Sequence, residues 1–139
     1  MIAQGQTTIF KQNLLSGLEN FAVGTPYVYK IALYTANADL SAATLVYTAS
    51  NEVVGTGYTA GGKALVVIPP ASSGTTAYVS FNNIVWTPSS FVVRGALIYN
   101  ATTLAAVAVL DFGSDKTATG IFTVTFPTPT ATTAVIRIS

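Results

Sequence analysis

The chain has 139 residues, 50% of them apolar and only 8% charged, against roughly 25% charged in an ordinary soluble domain. Six Lys and Arg against five Asp and Glu leave a formal charge of +1, so there is neither the basic field that nucleic acid requires nor an acidic tail. Cys and His are both absent, which removes disulfides, thiolate and imidazole metal sites, thiol nucleophiles and the usual general base near neutral pH.

The mean hydropathy of +0.54 raises the question of a membrane, but the longest apolar run, Leu104 to Leu110, is far short of the ~18–20 residues of a spanning helix. No membrane insertion is expected. Met1 to Gln6 lack a basic stretch followed by an apolar one, so no secretory signal is expected and synthesis is placed in the cytoplasm.

Phe10, Leu14, Leu18 and Phe21 recur at helical spacing, predicting one short N-terminal helix over about 7–21. Thr7 or Thr8 caps its start, and Gly24 with Pro26 ends it. From Tyr27 to Thr35 the period changes to two, with both faces substantially apolar. A short segment around 45–48 and Asn51 to Val54 follow. Gly55 to Gly62 then form a glycine-rich stretch, read as a shaped loop.

Lys63 to Ile68 is a predicted strand stopped by Pro69-Pro70. Ala77 to Phe81 and Ile84 to Thr87 flank Asn82-Asn83 as a hairpin carrying Trp86. Strands are further predicted at 91–99, 105–112, 121–126 and 135–138. Short strands at this spacing predict a mainly β single domain, 1–139, built as an antiparallel β-sandwich or jelly-roll-like barrel.

Gly57 to Lys63 carries the glycine and lysine spacing of a phosphate-binding loop. The next residue is Ala64 rather than a magnesium-binding hydroxyl, and a strand rather than a helix follows, so the reading is structural. Asp111-Phe112-Gly113 copies a kinase tripeptide without its companion His motif and is read as a strand end. Asp111 and Asp115 offer too few oxygen ligands for a strong Ca²⁺ site. Glu19, Asp39 and Glu52 are dispersed, which disfavours a glycosidase pair.

The aromatic residues fill a core, dress a subunit interface, or stack on sugars, with Tyr27, Tyr29, Tyr47 and Tyr58 the surface candidates. Arg94 and Arg137 are candidates to pair with Asp111 or Glu52. Asn100-Ala101-Thr102 matches a glycosylation sequon, without meaning in a protein that is not secreted. No catalytic residue, cofactor or metal is expected.

Several stretches resemble small virion structural proteins of tailed bacteriophages. They are Thr7 to Leu15, Tyr29 to Thr35, Asn51 to Gly62, Arg94 to Asn100 and Ala106 to Gly113. The resemblance implies a virion component made in the bacterial host cytoplasm, either a head decoration (cement) protein or a tail or neck component. It implies as partners the major capsid protein or other virion proteins, and copies of the chain itself, with a trimer around a local three-fold as the implied symmetry.

The composition reaches a similar class, because few charges leave few solvated faces and burial in an oligomer is an outlet. The interface candidates are Phe10 and Leu14 on the helix, Asn51 and Glu52 on a strand edge, and Tyr58, Gly61 and Gly62 in the glycine-rich loop. The reading from another class is a carbohydrate-binding β-sandwich module using exposed Tyr or Trp86.

Overall fold

A computed structural model describes all residues from Met1 to Ser139. In chain order the elements are β1 (Gly5–Gln6), α1 (Thr8–Leu15), β2 (Tyr29–Tyr34), β3 (Lys63–Ala64), β4 (Val67–Ser73), β5 (Thr76–Phe81), β6 (Ile84–Asn100), β7 (Ala106–Val124) and β8 (Ile136–Ile138). They make a five-stranded sheet of order β1-β7-β6-β2-β3 and a three-stranded sheet of order β4-β5-β8, with every strand pairing antiparallel. The fold is mainly β and sandwich-like. The sheets stay open, so the barrel alternative is corrected to a sandwich.

Alternation along β2 explains where the core sits. Tyr29, Ile31 and Leu33 join a cluster of 21 buried residues that also takes in Phe10 of α1, Val79 and Phe81 of β5 and Ile136 of β8. Ala32 and Tyr34 point the other way, into a second cluster of nine with Leu97, Tyr99 and Val109, covered by Ile2, Ala38 and Leu40. A large apolar side chain contributes roughly 1.5–3 kcal/mol when fully buried, so covering the second face from within the chain is a substantial gain. The two apolar faces of Tyr27 to Thr35 thus have an internal partner on each side.

The helix is shorter than its apolar spacing predicts. Thr7 caps it, its hydroxyl accepting from the Phe10 N–H at 3.2 Å and donating to the Ala106 carbonyl at 2.9 Å. At the other end Gly17 takes φ +72°. The Leu18 N–H then bonds to the Asn13 carbonyl at 2.8 Å and the Gly17 N–H to the Leu14 carbonyl at 3.2 Å. This paired closure stops the helix at Leu15. The expected span of 7–21 is therefore corrected to 8–15, and Phe21 reaches the core from irregular chain.

Three predicted breaks are absorbed into strands. Pro69 and Pro70 lie inside β4, an edge strand, at a register shift between Ile68 and Ala71, where a missing donor is tolerated. The segments 84–87 and 91–99 fuse into β6 through a register shift at Trp86/Ser89, which contains the cis Thr87–Pro88 peptide. The segments 105–112 and 121–126 fuse likewise into β7, with Phe112 to Asp115 bulged opposite Arg94.

The predicted hairpin around Asn82-Asn83 does not form, because β5 and β6 belong to different sheets. The turn is a corner instead. The Asn82 N–H donates to the Val66 carbonyl at 2.9 Å, and Asn83 Oδ1 accepts from the Phe126 N–H at 2.8 Å.

Candidate functional site

Two tyrosine–carboxylate centres hold the polar chemistry of the interior. The first is built on Glu52, which is buried and bridges to Tyr34 at the end of β2. Its neighbours fix it there. The Thr35 N–H donates to the Asn51 carbonyl at 2.9 Å and the Val53 N–H to the Leu33 carbonyl at 2.9 Å. Asn51 adopts φ +61°, a conformation Asn tolerates better than most side chains, and its Nδ2 donates to the Asn37 carbonyl at 3.2 Å.

Both oxygens of Glu52 are engaged. Oε2 accepts from the Tyr47 hydroxyl at 2.6 Å, while Oε1 accepts from the Tyr58 hydroxyl and from the Gly61 N–H at 2.7 Å. The ring of bonds continues outward. The Tyr58 hydroxyl accepts from the Leu33 N–H at 2.9 Å, the Tyr99 hydroxyl donates to the Gly61 carbonyl at 2.6 Å, and Tyr47 stacks on Tyr99 with ring centres 4.8 Å apart. Burial first, and the bond to Glu52 second, push the Tyr47 and Tyr58 hydroxyls well above the usual tyrosine range.

The glycine-rich loop is shaped as expected but faces inward. Gly57 and Gly62 have φ of +85° and +78°, and a Cβ at Gly62 would stand 1.7 Å from the Ile31 carbonyl oxygen. Only glycine lets the loop lie this close to β2. Thr56 reaches β6, its carbonyl accepting from the Ser90 N–H at 2.9 Å. The loop therefore straps β2 and β6 together.

The second centre is built on Glu19, also buried. Its Oε2 accepts from the Tyr29 hydroxyl at 2.7 Å and from Asn100 Nδ2 at 3.2 Å, and the Tyr29 hydroxyl accepts from the Asn20 N–H at 3.1 Å. Burial and the Glu19 bond raise the Tyr29 hydroxyl above its usual range. Glu19 Oε1, by contrast, is shut off from water and accepts no hydrogen bond. Glu19 also lines an open cavity of about 250 Å³ between α1 and the three-stranded sheet, walled by Leu14, Phe21, Val79 and Ile136 among others.

The interface candidates divide accordingly. Phe10 is fully buried in the core, and Glu52 is enclosed by its tyrosines, so both are corrected from surface to interior positions. Tyr58, Gly61 and Gly62 are drawn into the Glu52 centre or against β2. Leu14 is half-buried at the cavity wall, and Asn51 remains exposed.

Trp86, named as a sugar-stacking candidate, is 1% exposed beneath Lys63, whose Nζ stands 5.7 Å from the ring centre. Its ring faces Tyr58 and Phe122 instead. Asn100 of the sequon is fully buried and bonded to Glu19. Arg94 pairs with Asp111 at 3.1 Å, and the Gly113 N–H together with that guanidinium holds the Asp111 carboxyl below its usual range. Arg137 does not reach Glu52, whose oxygens are taken by Tyr47, Tyr58 and Gly61.

Glu19, Asn100 and the partnership of Tyr47 with Glu52 were not anticipated from the residues. Tyr47 and Tyr58 lie five and six positions from Glu52, a local signal that a buried carboxylate was in reach. Asn100 lies 81 positions from Glu19, and no local pattern signals that contact. Comparison of the chain with protein-family models, curated proteins and solved structures gives no match.

Proposed function

We propose that this chain is a non-enzymatic structural protein of a tailed-bacteriophage virion, placed as a decoration protein on the head. The observation that carries the reading is the kind of surface the chain exposes. Leu15, Val23 and Val54 are 92%, 85% and 93% exposed on a chain in which 8% of residues are charged. A domain with this few charges has little surface solvated by charge, and association with other proteins is one way to cover its exposed apolar side chains.

Three of the five acids support the same reading, since they are engaged separately: Glu52 and Glu19 in distinct tyrosine centres, and Asp111 with Arg94. The inward turn of Trp86 speaks against a sugar platform. No helix is long and apolar enough to cross a membrane.

In this role the chain contacts the major capsid protein and copies of itself, as a trimer around a local three-fold. A specific interface buries about 1,200–2,000 Å², and repetition over many copies makes modest contacts effective. Electron microscopy of the intact particle tests the assignment: density for this chain on the head supports it, and density confined to tail or neck overturns the head address. Heads lacking the protein are expected to assemble but to burst or leak DNA under heat or low salt, and unchanged heads would contradict the stabilising role.

A further inference from the structure

Most edges of the two sheets are blunted. β1 and β3 have two residues each and β8 three, and the edge strand β4 carries Pro69 and Pro70, devices that keep an edge from pairing with another chain. Beyond the reach of β2, the outer side of β6 is covered from within the chain. The Thr56 carbonyl accepts from the Ser90 N–H, and Lys63 Nζ donates to the Val85 carbonyl.

The outer edge of β7 has no such cover. β1 pairs with it only at Ala108 and Val109, and over 117–124 the one backbone partner of β7 is β6. Alternate residues of that stretch therefore turn their N–H and C=O groups to solvent. Between Lys116 and Pro127 there is neither charge nor proline, and Thr117, Thr119, Ile121 and Thr123 are exposed.

A free ladder of alternating donors and acceptors fits one kind of occupant, another extended backbone. A neutral edge holds nothing that selects a chemically different strand, and its own sequence is self-complementary in one register. Parallel order is unfavourable, because it stacks Asp115 on Asp115 and Lys116 on Lys116, whereas antiparallel order sets Lys116 beside Val124. Gly120, at φ +94°, kinks the strand, and two copies stay paired along their length only where their kinks coincide. In antiparallel order that sets Gly120 opposite Gly120. Thr117 then faces Thr123 and Thr119 faces Ile121 on one side of the sheet, while Phe122 meets the small Ala118 on the other.

We propose that the edge of β7 over 117–124 pairs with the same edge of a second copy about a two-fold axis at Gly120, continuing the five-stranded sheet from one copy into the next. The contact is two-fold, hence separate from the three-fold one proposed above, and it does not depend on where in a particle the chain sits.

The chain contains no cysteine, so introduced cysteines report on the pairing directly. Sedimentation equilibrium of the full chain is expected to show dimers. Under mild oxidation, Thr117→Cys mixed with Thr123→Cys, and Thr119→Cys mixed with Ile121→Cys, should crosslink at least about tenfold faster than any of the four alone. Directly paired Cα atoms lie about 4.5–5.5 Å apart, whereas copies of one residue on either side of the axis lie beyond the ~7 Å reach of a disulfide. Ile121→Lys changes a position that is 66% exposed and sets two ammonium groups beside the axis. It should fold normally and dimerise at least about tenfold more weakly.

A monomer at every concentration overturns the proposal. So does a dimer whose mixtures crosslink no faster than the single variants and that Ile121→Lys leaves intact, since its contact lies elsewhere. Equal crosslinking of all four variants alone means parallel stacking and overturns it as well. A trimer without these crosslinks overturns the edge contact while leaving the three-fold reading in place.

Discussion

Glu52 and Glu19 begin from the same chemistry, a buried carboxylate bonded to tyrosine hydroxyls, and end in opposite conditions. Around Glu52 three donors from Tyr47, Tyr58 and Gly61 occupy both oxygens. Around Glu19 two donors share one oxygen, and the other is shut off from water without a partner. The difference follows from what each centre joins. Glu52 lies between a strand and the loop that straps it, and both sides belong to this chain. Glu19 lies where a short helix and a small sheet pack around an open cavity, and it has donors on one side only.

Base should act on both centres and have the largest effect. The tyrosines of the Glu52 centre, Tyr34, Tyr47, Tyr58 and Tyr99, and Tyr29 of the other, all have raised folded-state values, with burial the leading cause. A raised value means that folding disfavours the ionised form. Their contribution is thus complete below the unfolded tyrosine value of roughly 10 and lost as pH rises beyond it. Circular dichroism and tyrosinate absorbance should change together in one cooperative step above that pH. Tyrosinate appearing gradually while the fold persists would show that the hydroxyls are not locked.

Glu52→Gln replaces an acceptor pair by one acceptor and one donor facing tyrosines, leaving buried groups unpaired. A loss of about 3–5 kcal/mol is expected in urea unfolding. Gly62→Ala sets a methyl against the Ile31 carbonyl at a left-handed φ, and about 2–3 kcal/mol should be lost. Tyr47→Phe removes a single bond to Glu52, and the loss should be about 1–2 kcal/mol.

Glu19→Gln is the counterpart and should have the smallest effect, within about 1 kcal/mol, because a carbonyl oxygen can still accept from Tyr29 and Asn100 while an unpaired amide group takes the place of an oxygen that was already unpaired. Equal losses for Glu19→Gln and Glu52→Gln would erase the distinction between the centres.

Much of the fold was legible because it rests on local pattern. The alternation of Tyr27 to Thr35 located β2, Thr7 located the helix start, and the glycines of 55–62 announced a loop needing close approach. The failures share a cause. Leu18 and Phe21 continue a helical spacing that Gly17 interrupts, and the closure depends on bonds from Gly17 and Leu18 that spacing alone does not display. Pro69-Pro70, the gap between Thr87 and Phe91, and Gly113 read as breaks, yet an edge and two bulges accommodate them within strands.

The site was less legible than the fold. Apolar content on both faces of β2 suggests surface awaiting other copies, whereas Ala38 and Leu40, just past the end of β2, and Ile2, from the start of the chain, fold over one face. Phe10 is covered by residues remote in sequence, whereas the tyrosines that enclose Glu52 lie only five and six positions away. Leu14 kept its place at a cavity wall, beside a carboxylate whose partner Asn100 arrives from the far end of β6.

Amide hydrogen exchange in the unmodified chain tests the contrast most directly. The Gly61 and Leu33 amides, bonded to Glu52 and to the Tyr58 hydroxyl, are predicted to exchange only through global unfolding, while the Asn20 amide, bonded to the Tyr29 hydroxyl, exchanges earlier through local opening at the cavity. Equal protection of Asn20 and Gly61, or early exchange at Gly61, would contradict a closed centre at Glu52 and an open one at Glu19.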